Sequence, residues 1–309
     1  MKIAFLNKYQ DKVTRGAETF VSELSMRLSK NNQVDVIFNI NYFELFRKKY
    51  DVIIPTNGRL QAVLVRIISW LRGSKMVVSG QSGMGWDDKI NLLVFPNAFI
   101  ALSSKALSWA KKVNPFVKSF YIPNGADLNK FKMKNKRNNN KKIILAVGAF
   151  TEQKRLNLVI DAVSRLEEVS LVIAGGGGDK KQEIVDYGLK VLGADRFKAI
   201  TVPFEKMPGV YEIADVFTLP SKPSESFGNV IVEAMATNLP IVATDDPVRR
   251  EIVGEAGLFV NPADVNAYKE ALKNALEKDW GNLPRKQAEK FSWDKIARDY
   301  EDMFAKITK

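Results

Sequence analysis

Twelve short apolar runs, six in each half of a 309-residue chain, alternate with stretches of helical periodicity. In the first half the runs are 2–6, 34–38, 52–54, 76–78, 99–102 and 120–122, with helical patterns at 17–29, 60–71 and 105–112. In the second half they are 143–147, 171–174, 199–202, 216–219, 241–243 and 258–260, with helical stretches between most of them. Strands separated by helices pair in parallel through crossovers. The repeat therefore predicts an α/β fold of doubly wound parallel sheets, with ligands received beyond the carboxyl ends of the strands. The length suits two domains. The segment 129–142, rich in Asn and Lys and low in complexity, reads as a basic linker between domains 1–128 and 143–309. A last helix over 293–307, with Ser292 as its N-cap, is expected to pack back on the first domain.

Composition removes several chemistries. The chain has no Cys and no His, so thiol nucleophiles, thiolate metal sites and imidazole bases are excluded. The adjacent acids Asp87-Asp88 and Asp245-Asp246 read as helix or turn starts, and no metal site is expected. A P-loop is absent. The run Leu171-Val-Ile-Ala-Gly-Gly-Gly-Gly-Asp179 lacks the final Gly of the dinucleotide fingerprint, where Lys180 stands, so its glycines are assigned to a turn. The opening strand 2–6 is too brief for a signal-peptide core. The longest apolar stretch, 60–71, is interrupted by Gln61, Arg66 and Ser69, too short to span a bilayer, and reads as a buried helix. A cytoplasmic protein is expected.

Charge is unevenly placed within a net balance of +12. Residues 1–140 carry 23 Lys and Arg against 9 Asp and Glu, whereas residues 141–309 are near neutral. A basic half implies an anionic partner. Nucleic acid and the inner face of a membrane are both candidates, and peripheral binding to the membrane, not to nucleic acid, is expected.

The densest local signal is Glu225-Ser-Phe-Gly-Asn-Val-Ile-Val-Glu233, followed by Ala-Met-Ala236. Pro220 and Pro223 stop the preceding strand, and apolar residues recur at helical spacing from Phe227, so a helix is expected to begin near Ser226. One carboxylate then lies in the turn and the other about two turns along the helix. Between them the amides of Phe227, Gly228 and Asn229 make a helix N-terminus suited to an anionic or hydroxyl-rich ligand.

This segment resembles the signature of the retaining nucleotide-sugar glycosyltransferases of family 4. Val147-Gly-Ala-Phe-Thr-Glu-Gln-Lys154-Arg155, Arg15-Gly-Ala-Glu-Thr-Phe20, Ile122-Pro-Asn-Gly-Ala-Asp127 and Phe291-Ser-Trp293 extend the resemblance over nearly the whole chain. It implies the GT-B fold, two Rossmann-like domains facing a cleft. It also implies that Glu225 touches the donor sugar, Glu233 holds the ribose hydroxyls and Lys154 holds the pyrophosphate, with Ser226 and Gly16 beside the donor. Arg15, Gln81, Asn124 and Asp127 fall on the acceptor side. The implied donor is a UDP- or GDP-sugar without further cofactor, and the implied acceptor is a glycan or a lipid-linked hydroxyl compound. The chain departs from the pattern at Ala149, where relatives carry Arg, at Arg15 and at Gln81, where they carry His; Arg155 is expected to replace the missing cation. Two alternatives share the fold: a nucleotide-sugar-binding protein without transferase activity, and an enzyme of another reaction such as epimerisation.

Overall fold

The computed structural model describes residues 1–10, 16–132 and 141–308. It divides into two units, Met1–Gly125 with Phe291–Lys309, and Ala126–Lys290. In the first, strands β1 (Lys2–Leu6), β2 (Gln33–Ile37), β3 (Val52–Pro55), β4 (Lys75–Ser79), β5 (Ala98–Ala101) and β6 (Ser119–Tyr121) form a parallel sheet of order β2-β1-β3-β4-β5-β6. In the second, β7 (Lys142–Val147), β8 (Val169–Ala174), β9 (Phe197–Ile200), β10 (Val216–Leu219), β11 (Ile241–Thr244) and β12 (Gly257–Val260) form another, of order β12-β11-β10-β7-β8-β9. All twelve expected strands occur, each within two residues of its predicted bounds. Inner strands such as β3, β5, β10 and β11 are buried throughout, as parallel strands covered on both faces must be.

Alternation along β1 shows how the first sheet is covered. Ile3 and Phe5 enter one core with Phe20, Leu24, Trp293 and Tyr300, while Ala4 and Leu6 enter another with Ala62, Val65, Ile68 and Leu92. The last helix, Trp293–Thr308, thus completes the first unit although it ends the chain. Ser292 Oγ accepts from the Lys295 N–H at 3.3 Å, and Arg27 Nε reaches Asp294 at 3.1 Å. Gly125 permits this return, because a Cβ there would stand 2.6 Å from the Phe291 carbonyl oxygen.

Two expectations need correction. The segment 129–142 is not wholly a linker. Phe131 is buried against Tyr211 and Phe204 of the second unit, and Arg285 Nη1 donates to its carbonyl at 2.8 Å. A polar neighbourhood in sequence hid one large anchor; positions 133–140 lie outside the described residues. The helix expected over 60–71 spans Arg59–Arg72 and is not buried: only Gln61, Ala62, Val65, Ile68 and Ser69 face the sheet. Its remaining apolar residues have no layer to cover them, since a helix on a doubly wound sheet buries one face only.

The acid pairs have structural tasks. Asp246 caps helix Pro247–Val253 through the Val248 and Arg249 amides, and Asp245 pairs with Arg250. Asp87 pairs with Arg59, while Asp88 is buried under the connection that follows β4, its Oδ2 without a partner. Burial pushes the Asp88 carboxyl up to about 7, against a smaller opposing effect of its hydrogen bond with Asn91. Between the ordinary carboxylate value and 7 the folded chain therefore holds a proton that the unfolded chain has lost, and stability falls as pH rises through that window. Asp88→Asn is expected to remove this slope, about 1.4 kcal/mol per pH unit at most, and to stabilise the protein above pH 7. Urea unfolding at a series of pH values reads both; an unchanged slope would place Asp88 in contact with water.

Candidate active site

The carboxyl ends of β7, β10 and β11 gather most of the residues singled out in the second half. After β7 the chain passes Gly148 and makes a short 3-10 turn, Glu152–Lys154. Gly148 leaves room for the Lys154 stem, because a Cβ there would lie 3.2 Å from Lys154 Cδ and Cε. The ammonium ends 2.6 Å from Glu225 Oε2, joining two residues 71 positions apart. Both side chains are mostly buried, at 17% and 15% exposure, so the pair is only weakly screened by water.

The glycine run after β8 supports this turn from behind. Gly148 N donates to the Ala174 carbonyl at 3.0 Å and Phe150 N to the Gly177 carbonyl at 3.0 Å. A Cβ on Gly175 would sit 1.9 Å from the Gly148 carbonyl oxygen. The run is thus needed for one loop to lie directly on another.

Arg155 adopts a left-handed conformation with φ 48° and turns inward. Its Nε donates to the Pro220 carbonyl at 2.7 Å, and Nη2 donates to the Ser221 carbonyl at 3.0 Å and to Thr244 Oγ1 at 3.1 Å. The expected role of a second phosphate cation is therefore corrected to a brace between β10 and β11. A carbonyl-rich environment at the strand ends attracted the guanidinium more strongly than the outer surface did.

Helix Asn229–Ala236 begins three residues later than expected, because Gly228 takes φ 87° and ψ 63° and interrupts the helical path. Phe227 anchors the loop with its side chain at 1% exposure, and Ser226 is half-buried beside it. Asn229 and Gly228 therefore form the helix N-terminus. Glu233 faces inward at 6% exposure, and Tyr211 donates to its Oε2 at 2.7 Å. Burial, reinforced by the Glu233 charge, raises the Tyr211 hydroxyl well above its ordinary value, so it remains a donor to the carboxylate.

Two residues that carry this arrangement escaped sequence reasoning. Tyr211 lies in a short helix, Met207–Glu212, without a recognisable motif. Arg249 has no solvent exposure; Nη1 donates to the Glu225 carbonyl at 3.2 Å, and Nη2 donates to Ser221 Oγ at 3.1 Å and to the Lys222 carbonyl at 3.3 Å. Its ion pair with Asp246 spans 3.2 Å. The signal was present in the helical period, since Arg249 shares a face with the buried Ile252 and Val253.

In the first unit, Gln81 follows β4 and Asn124 follows β6. Their side-chain amides bond reciprocally, at 3.0 and 2.9 Å, and Gln81 also donates to Ser79 Oγ, which accepts from Tyr300 of the last helix. Gly16 opens helix Gly16–Leu28 and is exposed, whereas Arg15 lies outside the described residues. Asp127, in the second unit, accepts from the Asn129 and Lys130 amides and forms a turn. A cavity of about 870 Å³ borders the same turn, lined by Glu152, Arg155, Lys180, Tyr187 and Lys222 among others, but Lys154, Glu225 and Glu233 are not among its lining residues.

The family model for group 1 glycosyl transferases matches residues 127–292, more than half of the chain. An uncharacterized glycosyltransferase of Methanocaldococcus jannaschii is 30% identical over 215 residues, covering 64% of this chain and 49% of that protein. The N-acetylgalactosamine-N,N'-diacetylbacillosaminyl-diphospho-undecaprenol 4-alpha-N-acetylgalactosaminyltransferase of Campylobacter jejuni is 31% identical over 166 residues, 51% of this chain and 45% of that protein. The chain thus spans about half the length of these curated relatives. The Anabaena protein HepE, solved in complex with UDP and glucose, superposes with a TM-score of 0.82 at 17% identity, covering 99% of this chain and 100% of that one. This likeness shows the fold.

If the buried guanidinium holds the Ser221–Glu225 loop, Arg249→Leu strands Asp246 in the core. A loss of about 3–5 kcal/mol in unfolding free energy is expected, measured by urea denaturation. A loss below about 1 kcal/mol would show that the loop keeps its shape without this residue.

Proposed function

The chain belongs to the group 1 glycosyl transferases, and from that premise we propose that it transfers a sugar from a nucleoside-diphosphate donor to a hydroxyl acceptor with retention of configuration. The observation that carries this reading is the convergence of Lys154, Glu225 and the helix start at Gly228 on the carboxyl side of one sheet, with the buried Glu233 about one turn along the same helix. Breaking the anomeric carbon–oxygen bond leaves cationic character on the sugar and negative charge on the departing diphosphate. The Lys154 ammonium and the amides at the helix start take up that negative charge without reorganising. Glu225, held on its backbone side by Arg249, orients Lys154 until donor binds and then accepts from the sugar hydroxyls. Glu233 receives the ribose diol while Tyr211 fixes its orientation. The chain has no imidazole, so the acceptor proton passes to the leaving phosphate oxygen as the new glycosidic bond forms.

A UDP- or GDP-sugar is the proposed donor. The Gln81–Asn124 amide pair, which presents neutral hydrogen-bonding groups at the carboxyl ends of β4 and β6, is assigned to the acceptor. A glycan or lipid-linked acceptor at an anionic membrane surface agrees with the basic first half, and the Campylobacter relative is itself named for a diphospho-undecaprenol substrate. Acceptor-dependent release of nucleoside diphosphate, with the anomeric configuration of the product read by NMR, tests the whole reading. Release that ignores acceptor, or an inverted product, would reject it.

Lys154→Ala is expected to lower turnover at saturating donor by about 100-fold or more, the usual cost of one preorganised charge partner. A normal rate would remove Lys154 from the chemistry.

Glu233→Ala should weaken nucleoside-diphosphate binding by roughly 1.5–3 kcal/mol, the worth of hydrogen bonds to a charged group. Tyr211→Phe should lose a smaller part of the same affinity, because it positions the carboxylate without touching ligand. Calorimetry with UDP and GDP measures both; equal affinities in the parent and in a folded Glu233→Ala variant would refute the ribose assignment.

A further inference from the structure

Among the described residues, sixteen of the twenty exposed large apolar side chains belong to the first unit, five of them on helix Arg59–Arg72. Leu60, Val63, Ile67, Trp70 and Leu71 form an outward stripe at helical spacing, opposite the buried Ala62, Val65 and Ile68. Trp70 is 75% exposed and Leu60 70%. Helices Tyr42–Arg47 and Trp86–Leu93 pack against this one and extend the apolar surface with Phe43, Phe46 and Trp86. A patch of this kind on a soluble surface is costly unless something covers it.

The charges beside the patch identify what does. Helix Arg59–Arg72 carries three arginines and no carboxylate. Arg47 lies over the Phe43 ring, Arg72 over Phe46 and Lys89 over Trp86, at 5.3–6.0 Å from the ring centroids. Cations set beside exposed aromatic rings match the boundary between lipid headgroups and acyl chains, where indole is favoured and Lys and Arg meet phosphate. A cavity of about 290 Å³ adjoins the helix. Arg66, Lys75 and Lys118 line it with no carboxylate among the lining residues, and the exposed Phe95 and Phe116 flank it. Lys75 begins β4 and Lys118 precedes β6, so this basic hollow lies at the amino ends of the strands, away from Gln81 and Asn124. Among the described residues no helix is long and apolar enough to cross a membrane, so contact would be made by this face lying on the surface.

We propose that the outer face of helix Arg59–Arg72 and its two neighbouring helices is an interfacial membrane-docking surface, with Ile67, Trp70 and Leu71 entering the headgroup boundary and the Arg66–Lys75–Lys118 hollow receiving a lipid phosphate. This rests on the membrane-proximal part of the proposed function and assigns it to named residues. A mixed apolar and cationic surface separates two contributions: the stripe sets depth and persists in salt, while the cations select anionic lipid and are screened.

The test is flotation of the full chain with phosphatidylcholine vesicles, alone or with phosphatidylglycerol, at low and high salt, in the absence of donor and acceptor. Tryptophan quenching by brominated lipids is read in parallel. The parent is expected to float with phosphatidylglycerol vesicles and to lose most binding at high salt. Ile67→Ser with Trp70→Ser should abolish the corresponding quenching and reduce binding at least tenfold. Lys75→Gln with Lys118→Gln should weaken binding about fivefold per cation, on anionic vesicles only. Ile67, Trp70 and Lys118 are exposed and Lys75 is half-buried, and unchanged affinity for UDP or GDP in the variants verifies that the second unit is intact. Undiminished flotation of both double variants would overturn the assigned face while leaving membrane binding itself standing. Absence of binding by the parent would overturn the membrane reading but not the transferase. A concentration-dependent dimer dissolved by Ile67→Ser with Trp70→Ser would identify a second copy of this chain as the occupant instead.

Discussion

The carboxyl end of the second sheet depends on a charge buried where charges are expensive. Arg249 gives its guanidinium to Asp246, to the Ser221 hydroxyl and to the carbonyls of Lys222 and Glu225. Desolvation makes its charged form harder to keep, and the nearby Asp246 and Glu225 carboxylates oppose that effect. The same loop is gripped on its other flank by Arg155, through the Pro220 and Ser221 carbonyls. Two arginines thus convert a loop broken by prolines into a rigid ledge. Glu225 can then meet Lys154 at 2.6 Å instead of turning to solvent. Electrostatic catalysis needs such rigidity, because a charge that must first be moved into place forfeits part of its effect.

A division of labour among cations follows. Lys154 is held by one carboxylate, over a glycine that leaves space for its stem. Arg155, its immediate neighbour, is held by three acceptors of the protein itself. Lysine suits a group that exchanges one partner for another during binding, being a point charge on a flexible stem; the planar fork of arginine suits a fixed brace. In the proposed function, adjacent residues of like charge therefore serve chemistry and architecture separately, and charge alone does not distinguish them.

That distinction marks what the sequence could reveal. Strands were legible because parallel strands buried on both faces read as short unbroken apolar runs, and β1 and β10 are found at their expected bounds. Glu225 and Glu233 were singled out because their spacing places them around a helix start after a strand, and Lys154 because the segment around it resembles a family motif; the structure brings Lys154 and Glu225 together. Tyr211 was not singled out, since a residue that works through another side chain leaves no pattern of its own, and for Arg249 the helical period marked a buried face but not the carbonyls it holds. Gly228 was legible as a glycine but not as the point that delays the helix to Asn229, which depends on its φ of 87°. The burial of Phe131 was hidden for a related reason: a single large side chain in a lysine- and asparagine-rich segment carries no periodicity, yet it packs on Tyr211, whose hydroxyl holds Glu233.

Surface chemistry shows the same separation between what a pattern states and what packing decides. The run 60–71 is apolar nearly all round, which by itself is equally compatible with a core helix. Only the sheet beneath it determines how many of those residues can be covered, and one face of a sheet covers one face of a helix. The uncovered residues are then a net cost to the isolated chain, as is the repulsion among the cations of the first half. Both costs diminish on a single kind of surface, one that is apolar just below and anionic at its boundary. The second unit carries neither burden: its charge is near neutral and its exposed apolar residues are few. The first half thus carries both the uncovered apolar face and the excess of cations, while the second, where Lys154, Glu225 and Glu233 lie, carries neither.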